Sequence, residues 1–419
     1  MNHMHSNKQN TQPTVTFVHS LFRSGSTFFY NALKRTGLYH VYHEPMHEVI
    51  AALPTAWSEL AGQKVQLKAT LRHDFLSGGY FDEYAHLLPA IKKAFSPKLS
   101  FDLFFMDGND NSAELKAYVD ILIEGSHRKP VLQCTRTLGR INWIKTNYQS
   151  NHVFLLRNPW DQWYSYKVDN YIASTPRVIY SKPNLPEVLK EVMVSRNLLP
   201  LPGDDTQAKL IYSYAHPISP EADYCLFFGL WLYAFVTGHK DCDVVVDMDE
   251  VSSNANYREQ ALKKLAHIDL ASIDLSDANL HRAVFTERER SFYQIIEEQV
   301  LEIFRKHDID AECLRTAREY LVQQREVAFV PRPSEEAGVH STLEDAARMR
   351  KMLLSSGQHS AAVVASLNQA IADRDAAIAD RDAAINAIYT SHSWRVTRPL
   401  RFIAMLIRDP KALIARLRG

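Results

Sequence analysis

The sequence predicts an α/β protein built on a parallel sheet, and three observations carry that expectation. Thr14-Val-Thr-Phe-Val18 and His152-Val-Phe-Leu-Leu156 are short β-branched, aromatic and aliphatic runs, the pattern of strands covered on both faces. Helical spacing follows each run: Phe28, Phe29, Ala32 and Leu33 after the first, and a helix opening at Asn158-Pro159 after the second. Further runs at Leu38–Tyr42, Val131–Cys134 and Val244–Val246 continue the alternation, which favours right-handed crossovers and a parallel sheet. Ligands of such sheets gather beyond the carboxyl ends of the strands.

At 419 residues the chain is long enough for one large α/β domain with appendages. Its 48 basic residues balance 48 acidic ones, so no global charge draws it to nucleic acid. Cys134, Cys225, Cys242 and Cys313 lie far apart without C-x-x-C spacing, so neither a zinc site nor a disulfide framework is expected. Residues 1–13 are polar and read as a disordered tail rather than a signal peptide. No apolar run approaches the roughly 20 residues of a spanning helix. The expected location is the cytoplasm.

In chain order, the first strand feeds a polar turn, Ser20–Thr27, and then a helix that Gly37 stops. After the second strand, Pro45 suits the first position of a helix running through Val49, Ile50 and Leu53. Residues 55–130 are poorly punctuated; they look helical near Tyr84–Phe95 and Ala113–Ile123 and read as a lid or cap. A helix is expected over Asn142–Tyr148, another over Tyr224–Val236, and more helix over 287–325. The core domain therefore spans 14–330.

Pro331-Arg-Pro-Ser opens a linker over 331–360. Ile371, Ile378 and Ile385 then recur every seven residues, which predicts a heptad-like helix over 361–390 that either spaces the chain or pairs it with a second copy. Residues 391–419 combine Trp394, Phe402 and Leu406 with seven basic residues from Arg395 to Arg418. That composition suits a helix lying on the inner face of an anionic membrane, or one docking on a partner.

Two junctions carry the chemistry. In the Ser20–Thr27 turn, Gly25 allows close backbone approach to a ligand, and a strand–loop–helix junction points amides and the positive end of a helix at one spot. Arg23, Ser24, Ser26 and Thr27 add one charge and three hydroxyls, so a phosphate is the favoured anion. A Walker A loop would place glycine at Ser20 and lysine at Ser26, and the missing lysine argues against an NTPase. At the second junction, Asn158 caps a helix with Pro159 at its first position and Asp161 as a capping-box acid. Arg157 sits beside that helix start and Ser165 two turns along it, a place for a second phosphate or, equally, for a structural ion pair.

The sequence Arg23-Ser-Gly-Ser-Thr27 after one strand, followed by Arg157-Asn-Pro159 and Ser165 after a later one, resembles the sulfotransferases that use 3′-phosphoadenosine 5′-phosphosulfate (PAPS). The resemblance covers roughly residues 14–325 and implies a P-loop-like sulfotransferase domain with a C-terminal helical extension. It implies that Arg23, Ser24, Gly25, Ser26, Thr27 and Phe28 wrap the 5′-phosphosulfate, and that Arg157 and Ser165 hold the 3′-phosphate. Arginine at position 23 is more like the carbohydrate-modifying branch, and Glu44-Pro45 is similar to that branch's Glu-Pro. Glu44 is then the base, with His43 as its substitute and Arg23 offsetting charge on the leaving group. The acceptor would be a saccharide or glycolipid hydroxyl, the product 3′,5′-adenosine bisphosphate (PAP), and no metal is called for. The basic tail resembles those of bacterial glycan-assembly enzymes. Arg136, after the third strand, is placed to touch an anionic acceptor or the sulfuryl group.

Three other readings compete. His43-Glu-Pro-Met-His47 matches the zinc-protease pattern, which needs both histidines on one continuous helix, and Pro45 argues against that. A nucleotide-dependent phosphotransferase would use Val244–Asp247 as a metal-binding strand with Mg²⁺ and ATP. A non-catalytic scaffold would use the repeat and tail to gather partners.

Overall fold

Six consecutive buried residues, Val15–Ser20, form β1, the middle strand of a five-stranded sheet in the computed structural model of the chain. The structure describes residues 15–51, 53, 81–167, 170–203, 205–280, 282–283, 285, 287–307 and 309–329. β1 pairs in parallel with β3 (Lys129–Cys134), where Phe17 faces Leu132, and with β4 (Ser150–Leu156), where Phe17 faces His152. β2 (Tyr39–His43) flanks β3 and β5 (Val244–Asp247) flanks β4, both in parallel. The order is β2–β3–β1–β4–β5, and all five strands end on one edge. The chain leaves β1 toward β2 on one side and leaves β4 toward β5 on the other. A topological switch point therefore falls between β1 and β4.

The helices are α1 (Ser26–Arg35), α2 (Leu88–Ala94), α3 (Ala113–Glu124), α4 (Ile141–Asn147), α5 (Pro159–Tyr166), α6 (Asn170–Tyr180) and α7 (Glu187–Val194). They continue with α8 (Thr206–Ala215), α9 (Pro220–Asp241), α10 (Met248–Ser253), α11 (Ala255–His267), α12 (Glu287–Lys306) and α13 (Ala311–Ala328). On one face of the sheet, Phe29 and Leu33 of α1 pack with Val18, Val41 and Val131, joined by Val251 of α10 and Leu265 of α11. On the other, Tyr118 of α3 and Trp143 of α4 cover Phe17 and Leu132, while α9 covers Phe154 and Leu156. α9 is apolar nearly all round because it is enclosed nearly all round. Ser219 caps it, accepting the Ala222 amide at 3.2 Å, and Pro220 takes its first position.

Several expectations shift. β1 runs on through His19 and Ser20, and α1 opens at Ser26 rather than Phe28. Over residues 45–51 the expected α-helix is not formed. Glu44 turns the backbone left-handed at φ 48°, and a single 3₁₀ turn follows over Glu48–Ala51. The described part of 55–130 is core rather than lid: Phe81, Tyr84, Ile91 and Phe95 are buried in one cluster with Phe17 and Tyr42. The helix expected over Tyr224–Val236 is longer at both ends, and α6–α8 had no clear sequence signal. Residues 1–14, all of 55–80, the linker 331–360, the spacer 361–390 and the tail 391–419 lie outside the described residues. Among the described residues no helix is long and apolar enough to cross a membrane.

Candidate active site

The β1–α1 loop turns on two left-handed residues, Arg23 at φ 65° and Gly25 at φ 86°. Gly25 is the N-cap of α1 and, being glycine, supplies no side-chain capping bond. The first-turn amides and the positive helix end are thus presented at the carboxyl edge of the sheet, the arrangement that receives anions. The φ of 86° is one reason for glycine here, and a Cβ would in addition lie 3.3 Å from Met248 Cε and 3.4 Å from Leu280 Cδ2. Ser24 is buried and its hydroxyl donates to the Leu21 carbonyl at 2.9 Å, holding the loop's own shape. Ser26, Thr27 and Phe28 form the first turn of α1, where Ser26 is buried and the Phe28 ring lies under the Arg35 guanidinium at 5.9 Å.

Across the switch point, Asn158 caps α5 by accepting the Asp161 amide at 2.9 Å, with Pro159 next. The expected capping box is not closed in the usual way. The Asn158 amide donates instead to Asp249 Oδ2 at 2.7 Å, and Asp161 Oδ1 accepts the Ala283 amide at 2.7 Å. Arg157 is buried; its carbonyl accepts Trp231 Nε1 of α9 at 2.8 Å, and its Nε lies 3.8 Å from Asp249 Oδ1. Its Nη1 donates to the Arg23 carbonyl at 3.0 Å, and Arg23 Nε donates to Ser165 Oγ at 2.8 Å. Gln162 Nε2 donates to the Phe22 carbonyl at 2.7 Å. Arg23 and Gly25 therefore share one place above β1 and β4 with Arg157 and Ser165, which lie more than a hundred residues further along the chain.

The end of β2 supplies Glu44, which is buried against β3. Its Oε2 accepts the Thr135 amide at 3.2 Å, Thr135 Oγ1 at 2.7 Å and Arg136 Nη1 at 3.0 Å. Arg136 is fully enclosed, and its Nη2 donates to Glu48 Oε2 at 3.2 Å and to the Tyr171 hydroxyl at 2.7 Å. That hydroxyl in turn donates to Glu48 Oε1 at 2.5 Å. The Arg136 guanidinium also lies 4.8 Å from the Phe22 ring and 5.0 Å from the Phe101 ring. Its Nη donors are directed to the protein's own acceptors, so the expected contact of Arg136 with an acceptor or a sulfuryl group is not supported.

The histidines beside Glu44 are neutral at ordinary pH. Burial pushes the His43 imidazole down to about 4, and Lys34 and Arg136 add to the push. His47 is likewise lowered to about 4 by burial and Arg136. Burial alone would raise the Glu48 carboxyl, but Arg136, His47 and the Tyr171 hydroxyl outweigh it and bring it to about 2. Glu83 goes the other way, raised by burial to about 7 although it accepts the His43 amide at 2.9 Å. The zinc-protease pattern is not realised as a helix: His43 ends a strand, Glu44 is left-handed and His47 lies in a turn. Among the described residues no group of three or more His, Cys, Asp or Glu side chains is placed to hold a metal ion.

Asp247, the acid of the competing phosphotransferase reading, caps α10. Its Oδ1 accepts the Asp249 amide at 2.9 Å and the Glu250 amide at 3.2 Å, and β4 separates its strand from β1. Sequence reasoning missed Glu48, Glu83, Gln162, Tyr171 and Asp249. Each reaches the site through a tertiary contact, and only the position of Asp249 just after a strand end hinted at it. No model of a known protein family matches the chain, and none of the curated proteins matches it either.

Proposed function

We propose that this chain is a PAPS-dependent sulfotransferase that moves the sulfuryl group to a hydroxyl of a saccharide or glycolipid. One observation carries the reading: the side chain of Arg23 bonds Ser165 and its carbonyl bonds Arg157, so the two segments that resemble the family's donor motifs meet at the start of α1. The strand order, with its switch point between β1 and β4, agrees with a nucleotide lying across that edge.

On this reading the 5′-phosphosulfate lies against the loop 23–28, and the 3′-phosphate takes Arg157 and Ser165. Transfer is an in-line displacement in which the acceptor oxygen bonds to sulfur as the bridging bond to the 5′-phosphate breaks. The work left to the protein is alignment and neutralisation of charge on the leaving oxygen. Arg23 and the α1 amides suit the second task. Glu44 takes the hydroxyl proton, and with its Oε2 held by three donors, its other oxygen is the one to do so. His43, lowered to about 4, is a weak substitute at neutral pH. Membrane contact through 391–419, self-association through 361–390 and a cytoplasmic site of action belong to the same proposal.

Calorimetry with PAP and with ATP in Mg²⁺ tests it. PAP bound at least tenfold more tightly than ATP is expected, whereas ATP preferred over PAP would favour the phosphotransferase.

A further inference from the structure

We infer that Arg136 is a positioning residue that sets the distance between the donor loop and the base, an inference resting on the reading above. Glu44 stands at the end of β2, one strand beyond β3, whereas the donor loop springs from β1 on the far side of β3. The ring of Tyr30 in α1 meets the His43 ring at 4.5 Å, and a residue just after β3 makes a second join between the two. Arg136 grips Glu44 through Nη1 at 3.0 Å, and its guanidinium sits 4.8 Å from the ring of Phe22, the residue just before Arg23. Phe22 is fixed in turn, since its carbonyl accepts Gln162 of α5 at 2.7 Å. A second prong fixes the guanidinium's rotation: Nη2 reaches Glu48 and Tyr171, and the Phe101 ring lies 5.0 Å from the guanidinium.

The planar fork explains why arginine occupies this place. Two carboxylates are addressed by two Nη groups in one plane while rings from two loops pack on the guanidinium, which a lysine ammonium cannot reproduce. Arg136 thus acts on the reaction through Glu44 and touches neither substrate. A misplacement of about 1 Å at a reacting pair can cost on the order of a hundredfold in rate, so such a spacer is worth conserving geometry for.

The test compares wild type, Arg136→Met, Arg136→Lys and Phe22→Leu by PAP calorimetry. It also follows PAP release from PAPS with octyl glucoside and water as acceptors. For Arg136→Met we expect PAP affinity within about threefold of wild type and release slowed by about a hundredfold. Arg136→Lys should restore part of the rate at unchanged PAP affinity. Wild-type release in Arg136→Met, or PAP affinity falling in step with rate, would overturn the inference. Should Arg136→Met fail to fold, Phe22→Leu decides, because it removes one flanking ring and no charge: release about tenfold slower at unchanged PAP affinity supports the spacer, and wild-type release refutes it. Wild type that binds no PAP would sink the sulfotransferase reading itself. Wild type that binds PAP but releases none from PAPS would remove the base assignment, and Arg136's role with it.

Discussion

Glu44 and Arg23 are two of the few non-glycine residues with left-handed backbone, at φ 48° and φ 65°. Such conformations cost energy and persist where the surroundings over-determine them, frequently at functional sites. For Glu44 the surroundings are the Gln133 carbonyl, which accepts its amide at 2.8 Å, and the Thr135–Arg136 cradle. Glu44→Gln is nearly isosteric, so it should leave PAP affinity within about twofold while slowing PAP release from PAPS by about a hundredfold or more. Single-turnover assays would show the split, and full activity would remove Glu44 from the mechanism. A second residue-scale prediction concerns His152, which stacks on His19 and bonds it at 2.9 Å. Burial lowers His152 to about 4, and His19 is lowered as well. The unfolded imidazole takes its proton near 6.5, so the folded protein binds fewer protons between that pH and about 4. Stability from this group is therefore whole above pH 6.5 and falls as pH drops toward 4. In His152→Gln the slope of unfolding free energy against pH in that window should be shallower by up to about 1.4 kcal/mol per pH unit, readable from urea titrations.

At the scale of elements, the strands and their helices could be read because burial on both faces writes itself into composition. β1, β4 and β5 are rich in β-branched, aromatic and aliphatic residues, and α5 announces itself with Asn158-Pro159. Pro45 misled for a physical reason. It fits a helix start as well as the turn that Glu44's left-handed backbone imposes, and a sequence does not display the Thr135 and Arg136 donors that hold that turn. α6–α8 escaped because their apolar faces are matched to α9 and to one another rather than to a regular sheet. The site itself was half legible. Local motifs marked Arg23 to Thr27 and Arg157 to Ser165, whereas Glu48, Tyr171 and Asp249 enter only through contacts distant in the chain. Two glycines test how tightly the elements are fitted. A Cβ on Gly238 of α9 would lie 2.2 Å from Phe154 Cδ1, so Gly238→Ala must push α9 off β4 and should cost about 1–3 kcal/mol of stability in denaturant unfolding. Gly25→Ala, at φ 86°, should cost about 1–2 kcal/mol from backbone strain alone.

Over the whole molecule, one sheet edge gathers what the chain holds far apart. β1 and β4 bring the two cationic segments to the switch point, β2 and β3 bring Glu44 and Arg136 beside it, and α9 supports Arg157 from behind through Trp231. These contacts all lie within residues 15–329, so a chain ending at residue 334 is expected to bind PAP within about twofold of the full chain; loss of binding would make the extension part of the site. The central claim is that one doubly phosphorylated adenosine bridges the two loops, and its most direct test is calorimetry of PAP and of adenosine 5′-monophosphate on wild type and Arg157→Ala. Arg157→Ala should weaken PAP by about ten- to a hundredfold, the loss of a charge-assisted bond, and leave the monophosphate, which lacks the 3′ group, within about twofold. Equal weakening of both nucleotides, or of neither, would contradict the account.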